Sequence, residues 1–148
     1  MKVVIQRVKE ASVKIDGKIN GQINQGLLVL VGINNDDIGN EDKINKMADK
    51  IVNMRIFEDE NEKMNLSLKD IDGEILVISQ FTLYGDASHG NRPSFIEAAR
   101  PEDSEPYYNK FVECIKTKGI KKVDTGIFGA DMKVSLLNDG PVTIVYEL

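Results

Sequence analysis

Among its 148 residues the chain has one cysteine, one histidine and no tryptophan. A lone cysteine, Cys114, forbids an internal disulfide and a cysteine-rich zinc cage, and it fits a reducing compartment. The single histidine removes the usual nucleophile arrangements, because Ser-His-Asp and Cys-His sets need an imidazole beside the nucleophile. His89 stands among Gly85, Asp86, Ser88 and Gly90, the setting of an exposed loop residue. Cys114 follows Glu113, whose charge disfavours a thiolate, so it reads as packing. No spaced set of carboxylates replaces the missing imidazoles and thiols, so neither a metal nor another cofactor is expected.

Long apolar runs are missing too. No segment approaches the roughly 20 apolar residues that span a bilayer, and Met1 to Arg7 lacks the apolar region of a signal peptide. A cytoplasmic location without a membrane partner is the expectation. Basic excess is absent as well: the net charge is -5, which argues against DNA as a partner and against coating long nucleic acid through many phosphate contacts. A short, local RNA contact stays open. Lys116, Lys118, Lys121 and Lys122 read as solvated lysines near a helix end. Gly126 to Ala130 lacks the Lys and Ser/Thr of a phosphate loop and opens no helix, which disfavours nucleotide hydrolysis.

What is present is the stock of an ordinary globular domain, 41% hydrophobic and 29% charged. A single domain over residues 1–148 is expected. Val3, Ile5, Val13, Ile15, Ile19 and Ile23 alternate with polar positions, and Asp16-Gly17 and Gln25-Gly26 mark turns of a meander. Leu27 to Val31 and Ile75 to Ile78 are continuously apolar, as in strands covered on both faces. Ile44, Met47, Ala48, Ile51 and Val52 fall at helical spacing within Glu41 to Arg55. Met64 to Leu68 is too short and mixed for an element and reads as loop. Gly85 to Pro101 is a long polar loop, and such loops are commonly functional. A second helix follows with Pro106 in its first turn, capped by Asp103 or Ser104 and ended by Gly119. Val123 to Phe128, Met132 to Leu137 and Val142 to Tyr146 read as strand pieces. The economical architecture is α/β, with a mixed, mainly antiparallel sheet and two main helices packed outside it.

Two segments stand out. Ser79-Gln80-Phe81-Thr82 ends the apolar strand, a place where a rigid scaffold can fix a catalytic group beside an open loop. Thr82 can be a nucleophile, a water-orienting hydroxyl or a turn cap, and the cap is the simplest reading. Gln80 can bond a substrate or a buried neighbour. Phe81 and Phe128 read as core, with a pocket wall as the alternative. The second segment, Asn138-Asp139-Gly140-Pro141-Val142-Thr143, puts a proline between strand-like flanks, which invites a special backbone geometry with carbonyls presented together.

Taken with Gln6-Arg7-Val8, Gly26-Leu27-Leu28-Val29-Leu30, Arg92-Pro93-Ser94-Phe95 and Phe128-Gly129-Ala130-Asp131-Met132, these segments resemble the D-aminoacyl-tRNA deacylase family from Met1 to the last strand. The resemblance implies that family's barrel-like fold and a homodimer. In it a cis Gly140-Pro141 bond enters the partner's active site, and its carbonyls exclude L side chains while admitting D-amino acids and glycine. It implies hydrolysis of the ester between a D-aminoacyl group, or misattached glycine, and the acceptor end of tRNA. The backbone amides of Phe81 and Thr82 would polarise the carbonyl, and the substrate's 2′-hydroxyl would help to activate water. Ser79, Gln80 and Thr82 would orient the aminoacyl end, and Phe128, Gly129, Ala130 and Met132 would line the adenosine pocket. Arg7 would buttress the Gly-Pro corner, with Asn138 and Thr143 in support. Two rivals remain at this stage: a noncatalytic RNA-binding module, and a small-ester or D-peptide hydrolase with Thr82 as nucleophile.

Overall fold

Alternating apolar residues in the first fifteen positions form one strand that organises the rest of the sheet. The computed structural model describes residues 1–148. Strand β1 (Lys2–Ile15) buries Val3, Ile5 and Val13 completely. One edge of it pairs with β2 (Lys18–Ile23) and β3 (Gly26–Gly32), and the other with β8 (Lys133–Glu147), all antiparallel. Beyond β3 the ladder turns parallel: β6 (Glu74–Ser79) runs with β3, and β7 (Lys122–Thr125) runs with β6. Parallel neighbours need long crossovers, and here these carry the two helices, α1 (Glu41–Asn53) and α2 (Pro101–Lys116). The order is β2-β1-β3-β6-β7, with β8 on β1. A separate small hairpin joins β4 (Phe57–Glu58) to β5 (Met64–Leu66).

Side chains rather than a backbone ladder bring the two ends of the sheet together. Asn20 Nδ2 donates to the Thr125 carbonyl at 2.8 Å, the Gln22 amide donates to Asp124 Oδ2 at 2.8 Å, and Lys122 Nζ donates to the Gln22 carbonyl at 2.6 Å. The sheet is thereby a nearly closed, barrel-like body, as the family resemblance implied.

The continuous apolar runs make sense in this arrangement. Leu27, Val29, Ile75 and Val77 face the helices in one large core with Met47, Ile51, Tyr108 and Phe111. Leu28, Leu76 and Ile78 face a smaller core inside the barrel with Val8, Val13 and Ile23. Central parallel strands must be apolar on both faces, so strict alternation is lost. Gly26 is required where β3 meets β6, because a Cβ there would overlap the Glu74 carbonyl.

Several expectations need correction. Helix α2 starts at Pro101 with Arg100 as its N-cap, so Asp103 and Ser104 lie inside it and Pro106 falls in its second turn. Two prolines compete for the first helical position, and the earlier one occupies it. Met64 to Leu66 is a strand, made by pairing with Phe57 and Glu58 rather than by its own pattern. Ile19 is exposed, because the β1–β2 register shifts at Val13/Lys14 and the hairpin tip leaves the core. The strand pieces at 132–137 and 142–146 belong to one strand, β8, which is continuous through Gly140-Pro141.

Tyr108 fastens α2 to β6, and its hydroxyl donates to the Val77 carbonyl at 2.8 Å in the core. Burial pushes its pKa well above the usual phenol range, so it donates as the neutral group. Tyr108→Phe is expected to cost about 1 kcal/mol in a urea melt by removing the shorter of the two hydrogen bonds to that carbonyl, which keeps only the Gly126 amide at 3.4 Å. An unchanged midpoint would remove the fastening role.

Candidate active site

Where β6 ends, the chain tightens into a 3₁₀ turn at Phe81–Tyr84. Its internal bonds run from the Leu83 amide to the Gln80 carbonyl at 3.3 Å and from the Gly85 amide to the Thr82 carbonyl at 2.9 Å. The first amides of such a turn have no partner within it, which leaves the Phe81 and Thr82 N–H groups outside that bonding. Gln80 Nε2 donates to Thr82 Oγ1 at 2.5 Å, tying the two side chains together. Phe81 is not core. It is 57% exposed, and its ring meets the edge of Phe95 at 5.2 Å. A large aromatic defaults to the interior on composition, but the tight turn directs this one outward.

Phe95 is placed by the polar loop before α2. Asp86 and Ser94 exchange backbone bonds, each at 2.8 Å, so that the base of this loop is held as a short bridge. His89 lies in the exposed tip, as its neighbours suggested.

Ser79, Gln80 and Phe81 form one side of a cavity of about 730 Å³, within the range of small-molecule sites. Phe128, Gly129, Ala130 and Met132 form another side, with Ile78 and Val31 among the apolar residues between them. The end of β6 and the Phe128–Met132 run therefore share one site, whereas Thr82 is not on its lining. Phe128 is half-buried beside Tyr108, with ring centroids 6.0 Å apart, so it serves as wall rather than centre of the core. Arg100, Glu105 and Asp131 are the only ionisable residues on the lining, and neither His89 nor Cys114 reaches it. No cluster of three or more His, Cys, Asp or Glu side chains is arranged to hold a metal.

A third wall comes from the start of α2 and the residues before it, through Ala98, Arg100, Ser104 and Glu105. Sequence reasoning missed this wall. Ser104 read as a cap, and nothing in its local pattern marks it as facing a cavity built from β6 and the 128–132 loop.

The Asn138–Thr143 segment is not part of that cavity. Gln6 pairs with Thr143 and Val8 with Asn138, so only Arg7 lies opposite the four residues Asp139 to Val142. This makes a wide bulge in β8. Its Gly140-Pro141 bond is cis, and Gly140 has φ +130°, a conformation that L side chains rarely adopt. Asn138 closes the bulge: the Val142 amide donates to its Oδ1 at 2.9 Å, and its Nδ2 donates to Thr143 Oγ1 at 3.2 Å. Arg7 holds the corner from beneath. Its guanidinium is buried, with Nε donating to the Asp139 carbonyl at 3.0 Å and Nη1 to the Ile56 carbonyl at 2.7 Å. Gly140 and Pro141 themselves are exposed. On the same strand Leu136, Leu137 and Val145 are exposed apolar residues.

The model of one protein family, D-Tyr-tRNA(Tyr) deacylase, matches residues 4–147. A D-aminoacyl-tRNA deacylase of Flavobacterium psychrophilum is 60% identical over 147 residues, covering 99% of this chain and 97% of that one. A protein of the same name from Fusobacterium nucleatum is 57% identical, covering 99% and 95%. Among solved structures, one described as a c-Myc DNA unwinding element binding protein superposes with a TM-score of 0.91 at 42% identity, over 100% of this chain and 99% of its own. Another, a probable eukaryotic D-amino acid tRNA deacylase, has a TM-score of 0.87 at 14% identity over 99% and 98%, a likeness of fold. Matched across nearly its whole length, this chain belongs to the D-Tyr-tRNA(Tyr) deacylase family.

Proposed function

We propose that this protein hydrolyses the ester joining a D-aminoacyl group to the acceptor end of tRNA, releasing free D-amino acid and tRNA. The observation that carries the reading is the meeting of Ser79–Phe81 with Phe128–Met132 around one cavity whose lining holds no imidazole or thiol. Such a site suits an activated ester attacked by water, since the ester carbonyl is already electrophilic and needs polarisation more than a protein nucleophile. The Phe81 and Thr82 amides supply that polarisation. One donor aimed at the developing oxyanion is worth about 2.7–4 kcal/mol. Water adds to the carbonyl carbon, the tetrahedral intermediate collapses, and the carbon–oxygen bond to the ribose breaks. The substrate's vicinal 2′-hydroxyl relays water's proton to the departing ribose oxygen, which spares the protein a general base.

Handedness is read by exclusion. In this proposal a second copy of the chain inserts its Gly140-Pro141 corner into the cavity, and the two carbonyls occupy the space that an L side chain would need. D side chains point elsewhere, and glycine has none, so glycyl-tRNA is also a substrate. Two features support the cross-subunit arrangement: the corner does not line its own cavity, and β8 leaves Leu136, Leu137 and Val145 uncovered. The net charge of -5 fits contact with the acceptor end and few phosphates, and it gives no support for extending to this chain the DNA-element binding named for one structural relative.

Incubation with D-tyrosyl-tRNA and L-tyrosyl-tRNA tests the activity. Release of tyrosine from the D form with the L form spared is the expected result. Equal release from both, or none from the D form, ends the proposal.

A further inference from the structure

Between α1 and the end of β8, a shallow depression brings together Lys46, Lys50 and Arg55, with Tyr146 as part of its wall. The two anions on its lining are already matched. Asp49 is 2.9 Å from Lys118 Nζ, and the terminal carboxylate of Leu148 accepts from the Met1 amine at 3.1 Å. The cations are not matched: the ammonium groups of Lys46 and Lys50 form no ion pair or hydrogen bond, and Arg55 donates only to Asn65, a neutral partner. Lys50 Nζ stands 5.7 Å from the centroid of the Tyr146 ring, a contact that steadies the ammonium while leaving its three donors free. Lys46 lies one helical turn before it on the same face, with Cβ atoms about 5–6 Å apart. In a chain of net charge -5 this is a local surface for an anion.

The depression is close to the active site. Tyr146 pairs with Val3, Val3 pairs with Val31, and Val31 lines the active-site cavity. Strands lie about 4.8 Å apart, so two strand spacings put the backbone at the depression about 10 Å from the backbone at the cavity. Val3, Val31 and Tyr146 also share the face of the sheet that packs against the helices.

We propose that Lys46, Lys50 and Arg55 hold backbone phosphates of the tRNA acceptor stem while its aminoacylated end occupies the cavity. Base-paired RNA hides its base edges in a groove too narrow for side chains, so phosphates are what a stem offers to cations. Such contacts position the substrate and carry no sequence information, which suits an enzyme that acts on the aminoacyl end. The inference rests on the deacylase reading and deepens it by giving α1 a part in holding the substrate.

The test measures kcat/KM of the full-length protein on D-tyrosyl-tRNA as salt is raised fourfold, for wild type and for the double variant Lys46→Gln/Lys50→Gln. Glutamine removes the charge and keeps a long, helix-compatible side chain on exposed positions, so thermal midpoints should not move. Each phosphate contact contributes about 0.7–0.9 to the salt slope, so two contacts account for about a tenfold loss over that range. The double variant should lack this part of the salt dependence and show a raised KM at low salt with kcat unchanged. D-tyrosyl-adenosine, which has no phosphate, should be hydrolysed equally by both proteins. Lys69→Gln/Lys121→Gln makes the same change in net charge just before β6 and β7, at the end of the sheet away from the cavity, and should keep the wild-type slope. An unchanged slope and KM in Lys46→Gln/Lys50→Gln overturns the inference, leaving the cations to an acidic protein surface and the deacylase reading intact. An equal loss of slope in Lys69→Gln/Lys121→Gln, or an equal slowing on D-tyrosyl-adenosine, overturns it too. No hydrolysis of D-tyrosyl-tRNA by wild type defeats the deacylase reading, and the inference with it.

Discussion

Arg7→Met is expected to lower the thermal midpoint by about 10 °C, taking roughly 2–4 °C per kcal/mol for a domain of this size. The Arg7 side chain is buried, so its removal strands the carbonyls of Ile56 and Asp139, to which it donates at 2.7 and 3.0 Å. The buried Ile56 carbonyl left unpaired costs about 1–3 kcal/mol, and the part-buried Asp139 carbonyl costs less. The ion pairs add little: Glu58 and Asp139 stand 3.7 Å away and their side chains are 55% and 30% exposed, so water screens them. Activity should fall further than stability. With Arg7 gone, nothing beneath the bulge holds the Asp139 carbonyl, and a shift of about 1 Å in a group that shapes a site can cost a hundredfold. Arg7→Lys is the informative partner, because an ammonium on a flexible stem does not span both carbonyls as the planar fork does. It should recover part of the stability and little of the D/L selectivity. If Arg7→Met melts near wild type and still spares L-tyrosyl-tRNA, the buttress is wrong.

The corner and its support were not equally legible in the sequence. A Gly-Pro pair between strand-like flanks announces unusual backbone, because proline forgoes a donor and glycine reaches φ values closed to other residues. Yet the same pair disguised the continuity of β8, which pairs with β1 on both sides of the bulge. Periodicity located α1 and the two-faced runs in β3 and β6, since burial on both sides demands apolar residues throughout. Local pattern failed where a distant partner decides the outcome. Met64 to Leu66 is a strand because Phe57 and Glu58 lie beside it. Phe81 is exposed because a 3₁₀ turn aims it at Phe95. Ser104 faces the cavity because α2 begins at Pro101, three residues before it.

Mixing two inactive variants should restore activity, and this result would separate a corner that serves its partner from one that serves its own subunit. Gly140→Val damages the corner: the first added carbon would lie 2.9 Å from Val142 Cγ2 and 3.0 Å from Arg7 Nη2, at a φ of +130°. Ala130→Trp leaves the corner intact and fills the cavity that Ala130 lines. Either variant alone should lose about a hundredfold or more in turnover, the scale expected when a site is misshapen or blocked. In a two-fold dimer with exchanged corners, each site combines one subunit's cavity with the other's bulge. A mixed dimer then has one wholly native site, formed by the cavity of the Gly140→Val chain and the corner of the Ala130→Trp chain, and one doubly damaged site. Random assembly makes about half the dimers mixed, so co-expression should recover about a quarter of wild-type activity. If each corner instead acts on its own cavity, every site in every combination carries one lesion and no activity returns. The apolar side chains left open on β8, Leu136, Leu137 and Val145, would then need another explanation, and so would a buttressed corner that touches nothing in its own chain's cavity.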